Sequence, residues 1–317
     1  MSTDNNNGDN NNVSDICANC GKGEESTNKL KSCTACKLVK YCNRECQMAH
    51  RSQHKKECKK RAKELHDEAL FKQPPPEHGD CPICFLRIPS LCSGSKYMAC
   101  CGKLICSGCC HAPIYDDKGN IVDNQKCPFC RTTRPKTNKE IVERNEKRME
   151  AGDAIAFHNQ GSYYAEGDYG LPQDYTKALE FYHRAAKLGH ALAYYKIGNA
   201  YWFGRDVEVD KKKAIHYYEL AAKAGHTGAR YILGVLEIEQ LADTKAGDLD
   251  KALKHFMIAV RGGCNGSLRI LREMYSHGDV TKEEYTTALR DRQTYLDEIK
   301  SDQRDKAAAA SDDYKYY

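Results

Sequence analysis

Long apolar runs are missing from this 317-residue chain. No stretch approaches the roughly 20 apolar residues of a membrane span, and the mean hydropathy of -0.74 says that no domain is markedly apolar. The opening MSTDNNNGDNNN has neither the basic nor the apolar region of a secretory leader. An intracellular protein is therefore expected, cytoplasmic in preference to nuclear, with no membrane partner. Tryptophan occurs once, at Trp202, and phenylalanine seven times, so the aromatic content rests on 20 tyrosines. Cysteine is almost absent from the back of the chain, where only Cys264 follows Cys130.

The front is the reverse. Seventeen of the 18 cysteines lie between Cys17 and Cys130, and in a reducing compartment such density points to metal ligation before disulfides. The length allows two or three domains. Charge is uneven as well: from Lys29 to Lys63 twelve Lys or Arg face only Glu45 and Glu57, a local +10 within an overall +5. Such a patch is able to hold phosphate backbones, but no base-reading element accompanies it, so nucleic acid is disfavoured as a partner.

Residues 17 to 58 carry four ligand pairs, Cys17-x2-Cys20, Cys33-x2-Cys36, Cys42-x3-Cys46 and His54-x3-Cys58. Each C-x2-C knuckle aims two thiolates at one metal, and each x3 pair stacks its ligands at i and i+4 on a helix face. Eight ligands suit two tetrahedral zinc ions. The pattern resembles the MYND zinc finger, seven cysteines and one histidine ending in His54 and Cys58. That resemblance implies interleaving, with Cys17, Cys20, Cys42 and Cys46 on one zinc and Cys33, Cys36, His54 and Cys58 on the other; sequential pairing is the alternative. His50, four residues after Cys46, is a decoy expected to be an exposed helical histidine. The family's finger binds proline-containing peptides of partner proteins and performs no catalysis. Some members carry a SET methyltransferase domain, of which no trace is seen here.

After a charged helical stretch and the break at Pro74-Pro75-Pro76, a second cluster runs Cys81-x2-Cys84, Cys100, Cys101, Cys106-x2-Cys109 and Cys127-x2-Cys130. The strings CPIC, CCGKLICSGC and CPFCR resemble an all-cysteine RING finger. Its cross-brace assigns Cys81, Cys84, Cys106 and Cys109 to one zinc and Cys100, Cys101, Cys127 and Cys130 to another. Two departures stand out: Lys103 occupies a position where many members have histidine, and two ligands are adjacent, so Cys92 is an alternative to Cys100. Cys110 and His111 compete with Cys109, which the x2 spacing favours. Such closed sites are structural rather than catalytic. The resemblance further implies contacts to a ubiquitin-conjugating enzyme charged with ubiquitin, through Ile83 and Pro128, with Arg131 holding ubiquitin. A ligase of this kind acts by orientation, without a covalent intermediate. No tryptophan lies between the sixth and seventh ligands. Ile83 also reads as knuckle filler, Pro128 as a turn residue and Arg131 as solvated charge.

Beyond Arg134 a period near 36 residues emerges. Ala185-Ala186, Ala221-Ala222 and Ala259-Val260 precede Gly189, Gly225 and Gly263, and Gly161, Gly198 and Gly234 recur on the preceding helices. A period of this size means a solenoid of helix pairs, and the terminal glycines suit the left-handed position after a helix. The strings resemble Sel-1-like repeats, cousins of the tetratricopeptide repeat. His190, His226 and Cys264 share one repeat slot, which favours a repeat-consensus role over a metal pair or a catalytic cysteine. The tyrosines and Trp202 read as interhelical packing.

The expected architecture is mainly α: an α-solenoid of helix pairs preceded by two small zinc-stabilised fingers. It divides into a disordered tail (1–14), a MYND-type finger (15–58), a helical linker (59–78), a RING-type finger (79–133), a linker helix (134–152), repeats (153–278), one capping helix (279–309) and a tail (310–317). The leading functional expectation is a ubiquitin ligase holding four zinc ions, two per finger, that presents a protein substrate through the MYND finger and the solenoid. The alternative is a non-catalytic scaffold for protein–protein interactions.

Overall fold

The computed structural model describes residues 15–24, 29–90, 92–112, 114–115, 121–122, 125–244 and 247–317, so the expected tail at 1–14 lies outside the described residues. The described residues fall into two compact units, one within residues 1–72 and the other within 73–317.

In the first unit a short antiparallel pair, β1 (Lys31–Ser32) and β2 (Lys40–Tyr41), precedes α1 (Arg44–Phe71). Asn43 starts this helix by accepting the backbone N–H of Cys46 at 2.8 Å. Along its 28 residues only Leu70 is fully buried, so packing supplies little of its stability. Arg61, which pairs with Glu64 and Glu68, ties three of its turns together. The expected boundary after residue 58 is not a break. The helix bearing His54 and Cys58 continues to Phe71 and stops at Lys72, just before the prolines that exclude it.

The second unit opens with the second cysteine cluster: the hairpin β3 (Ser95–Met98) and β4 (Lys103–Cys106), the short α2 (Ser107–His111) and the antiparallel pair β5 (Ile114–Tyr115) and β6 (Ile121–Val122). Then come α3 (Asn138–Glu150), α4 (Ala154–Glu166), α5 (Tyr175–Lys187), α6 (Ala191–Phe203), α7 (Lys211–Lys223), α8 (Thr227–Thr244), α9 (Leu249–Arg261) and α10 (Asn265–His277). The pairs α4/α5, α6/α7 and α8/α9 pack most extensively, and each joins the next through α5/α6 and α7/α8.

One device repeats in all three pairs. A Cβ placed on Gly161, Gly198 or Gly234 would lie 2.7, 2.6 and 2.6 Å from a ring carbon of Tyr182, Tyr218 and Phe256 respectively. The glycine on the first helix therefore seats the aromatic ring of the second. Buried Ala178, Ala214 and Ala252 complete the close approach. Each second helix begins with an aspartate cap, Asp174, Asp210 or Asp248, accepting the backbone N–H of Lys177, Lys213 or Lys251. Each ends before a glycine at positive φ, Gly189 at +85°, Gly225 at +99° and Gly263 at +96°.

The shared slot after these glycines also has a physical role. His190 Nδ1 accepts the backbone N–H of Ala193, and His226 Nδ1 that of Ala229, so both are imidazole N-caps of the next helix. Cys264 makes no such side-chain bond.

The C-terminal part departs from expectation. In place of one capping helix there are two, α11 (Lys282–Ile299) and α12 (Asp302–Ala310), broken at Lys300–Ser301 where Ser301 caps the second. α11 packs on α9 and α10, whereas α12 packs on α2 of the cysteine cluster. Residues 310–317 are no loose tail either. Tyr316 is buried and donates to Asp305, and the Ser93 hydroxyl donates to Lys315 O. Among the described residues no helix is long and apolar enough to cross a membrane.

Candidate metal centres

Four sets of ligand atoms converge, each within 4.8 Å: Cys17, Cys20, Cys42 and Cys46; Cys33, Cys36, His54 and Cys58; Cys81, Cys84, Cys106 and Cys109; Cys100, Cys101, Cys127 and Cys130. The grouping is interleaved in both clusters. All described cysteines are free thiols.

Local turns explain the convergence. In the first knuckle Cys17 N donates to Lys22 O and Gly21 N to Cys17 O; in the second, Cys33 N donates to Val39 O and Lys37 N to Cys33 O. The second unit uses the same fold twice, with Cys81 N to Leu86 O and Phe85 N to Cys81 O, then Cys127 N to Thr132 O and Arg131 N to Cys127 O. The residue just after each pair takes the left-handed conformation: Gly21 at φ +70°, Lys37 at +61°, Phe85 at +58° and Arg131 at +63°. The adjacent pair Cys100-Cys101 is accommodated by the β3–β4 turn, where Cys101 N and Gly102 N both donate to Met98 O and Gly102 has φ +68°.

The spacing of the sulfurs tests whether zinc fits. A tetrahedral ion with Zn–S of about 2.3 Å sets its sulfurs about 3.8 Å apart. Cys20 and Cys42 are 3.7 Å apart, Cys33 and Cys58 3.8 Å, Cys84 and Cys106 3.7 Å, and Cys101 and Cys127 4.0 Å, while Cys42 and Cys46, and Cys100 and Cys130, are closer at 3.4 Å. Cys36 Sγ lies 3.1 Å from His54 Nε2. The electrostatics divide the second ligand set between thiolate and thiol: burial and the side chains of Cys33 and Cys36 push the Cys58 thiol up to about 12. Burial pushes the Cys33 thiol up, but the backbone N–H of Cys36, the His54 ring and the backbone N–H of Ala35 bring it down to about 6. The residues fit zinc, which when bound would act as a closed structural cross-link with no open position for a substrate.

The competing ligands have other partners. His50 is half-buried, with Nδ1 3.1 Å from the Tyr41 hydroxyl and its ring stacked on His54, so it positions a ligand rather than replacing one. Cys110 is buried with its thiol directed to Ile105 O, and burial pushes that thiol up to about 12. His111 is exposed and meets the Tyr314 ring, and Lys103 is exposed. The Cys92 side chain lies outside the described residues.

Sequence reasoning missed what anchors the second cluster. Arg304 of α12 is fully buried; its Nη1 donates to Arg87 O and Ile299 O, and its Nη2 to Leu86 O and toward Cys84 Sγ at 3.8 Å. Gly108 of α2 permits this approach, since a Cβ there would lie 2.9 Å from the Arg304 backbone. Ser90 adds bonds to Gly262 O and the Tyr295 hydroxyl, and the Tyr97 hydroxyl donates to Asp153. At the knuckle tips Ile83, Phe85 and Phe129 are exposed, as is Arg131, while Pro128 is half-buried.

One chain thus joins four ligand sets that fit zinc to an array of paired helices. Residues 17–58 match the MYND finger family, and residues 159–190 and 191–226 match the Sel1 repeat. The chain is similar to a Sel1 repeat protein from Oxalobacter formigenes, at 28% identity over 54% of this chain and 64% of that one, with a TM-score of 0.41. It is also similar to a protective antigen of uropathogenic Escherichia coli displaying an SLR fold, at 25% identity over 53% of this chain and 35% of that one, TM-score 0.41. An immunity protein from Pseudomonas aeruginosa matches at 21% identity over 53% of this chain and 75% of that one, TM-score 0.28. The chain thus spans less than two thirds of the first two structures.

Proposed function

We propose that this protein is a non-catalytic adaptor in which each of the four ligand sets holds one zinc ion and the MYND-type finger takes an acidic, proline-containing peptide of a partner protein. The observation that carries this reading is a groove of about 470 Å³ beside the start of α1. Met48, 64% exposed, gives it apolar surface, the buried Tyr41 belongs to its floor, and Arg44, Arg51, Lys55 and Lys59 surround it with positive charge. Such a groove offers an apolar contact to a proline ring and charge to flanking carboxylates, and methionine adapts to varied partners. The docking of the second cluster onto α12 supports a structural role for that module.

The test is binding of an acidic proline-containing peptide to the zinc-loaded chain, followed by fluorescence anisotropy. Met48→Asp and Arg51→Glu are expected to weaken it about tenfold or more, on the order of 1.4 kcal/mol each. Unchanged affinity in both variants would sink the adaptor reading.

A second reading, a RING-type ubiquitin ligase, is favoured by the exposed Ile83, Phe85, Phe129 and Arg131 at the knuckle tips. It requires ubiquitin discharge from a charged conjugating enzyme, lost in Ile83→Ala and Arg131→Ala. No discharge across a broad enzyme panel would exclude it and leave the adaptor.

A further inference from the structure

Arg304 is fully buried and carries a charge that must be answered. Its Nη1 donates to Arg87 O at 2.8 Å and Ile299 O at 2.6 Å, and its Nη2 to Leu86 O at 3.3 Å and to Cys84 Sγ at 3.8 Å. Carbonyls satisfy N–H groups but bring no net charge, and a buried cation without a counter-charge is strongly destabilising. Among the described residues no carboxylate forms an ion pair with Arg304. Two other arginines of the second unit show the contrast. Arg87 pairs with Glu298, and Arg148, which packs against Gly102 beside the neighbouring ligand set, pairs with Asp153 at 3.1 Å.

The negative charge within reach of Arg304 is the ligand set itself. Cys81, Cys84, Cys106 and Cys109 converge, with Cys81, Cys106 and Cys109 buried. Four thiolates around one divalent ion carry an excess of two negative charges, and Arg304 donates to one of those sulfurs. α12 also meets a second, since the Gln303 amide oxygen lies 3.7 Å from Cys109 Sγ. Gly108 leaves room for this approach: a Cβ there would lie 2.9 Å from both the backbone nitrogen and Cγ of Arg304. Among the described residues no sulfur of the other three sets accepts an arginine N–H.

We propose that Arg304 is an outer positioning residue of this one metal site, its guanidinium balancing the four thiolates when zinc is bound, so that metal occupancy and the docking of α12 stabilise each other. The inference rests on the zinc assignment made above. Reciprocity follows from linkage: whatever α12 adds to metal retention, the metal adds to the docking of α12. The last helix of the chain thereby becomes a reporter of whether the site at residues 81–109 is filled.

The experiment first counts zinc in the loaded full chain, then adds excess chelator together with N-ethylmaleimide and follows the labelling of each cysteine by mass spectrometry. Arg304→Met is expected to speed labelling of Cys81, Cys84, Cys106 and Cys109 about 10- to 100-fold, the usual effect of losing an outer partner of a metal ligand, with the other three sets at wild-type rates. Arg304→Lys keeps the charge without the planar fork and is expected to restore part of the retention, which a purely space-filling role does not predict. In the cobalt-loaded chain, loss of the N–H donor is expected to move the thiolate-to-metal charge-transfer band to longer wavelength. Should Arg304→Met fail to fold, the wild-type chain gives the converse reading: removing the metal is expected to raise amide exchange in residues 302–310 while α4 to α9 stay protected. Fewer than four ions in the wild type, with Cys81, Cys84, Cys106 and Cys109 labelled at once, overturns the zinc assignment and this inference with it. Four ions with unchanged labelling in Arg304→Met, equal acceleration at all four sets, or full protection of α12 in the metal-free chain overturns this inference alone.

Discussion

His190 and His226 cap their helices only as neutral imidazoles, because the Nδ1 that accepts a backbone N–H must keep its lone pair. Burial holds His190 down to about 4 and His226 to about 3, and it does the same to His158, whose ring stacks on His190. The sign follows directly. Below the ordinary value of 6.5 the unfolded chain binds these protons and the folded chain does not, so stability falls as pH drops from 6.5 toward 4, by at most about 1.4 kcal/mol per unit per histidine. Above 6.5 these groups contribute no slope. Replacing His190 and His226 by Asn keeps a capping acceptor that does not titrate. The double variant is expected to flatten the acid limb of stability against pH, measured by urea unfolding at a series of pH values. A second residue-scale prediction concerns Gly198→Ala. The new methyl would meet the Tyr218 ring at 2.6 Å, so a loss of about 1–3 kcal/mol is expected by the same method.

At the scale of elements, the ligand pairs were legible because metal chemistry leaves a rigid spacing: C-x2-C makes a knuckle and x3 makes a helical step. The repeats were legible for a similar reason, since Gly161, Gly198 and Gly234 and the alanine pairs mark where helices must approach closely. The aspartate caps were equally readable but overlooked; Asp174, Asp210 and Asp248 each stand three residues before a lysine. The helix break at Lys300 was missed although Ser301, followed by Asp302 and Asp305, has the composition of a helix start. What sequence did not reveal is where α12 docks. Its string DQRDKAAAA has no apolar stripe, and its anchor is a buried arginine whose Nη1 and Nη2 donate to backbone carbonyls. No local pattern encodes that.

Three predictions belong here. Chelation is expected to remove the turns that orient the first unit's ligands and with them the start of α1, seen as lost helical signal, because structural zinc contributes on the order of 10–16 kcal/mol to folding. Metal analysis of the loaded chain is expected to return four zinc ions, and two ions would show that one cluster does not bind. Asn43→Ala, which deletes the α1 cap while sparing every ligand, is expected to cost only about 1 kcal/mol.

For the whole molecule, the second cysteine cluster and the helical array form one compact unit. Arg304→Met is expected to raise amide exchange in α2 and in the first knuckle at residues 81–88, leaving the exchange of residues 17–58 unchanged. A uniform rise across both units would mean that Arg304 acts through global stability instead.

The Arg304 contacts also impose an order on biosynthesis. Leu86 and Arg87 are separated from their partner by more than 200 residues of chain. At the usual 5–20 residues per second, the ribosome needs roughly ten to forty seconds to bring residue 304 into being after residue 87. For that interval the face of α2 that α12 later covers stands without its partner helix, and the knuckle at residues 81–88 must hold its turns without the Arg304 bonds.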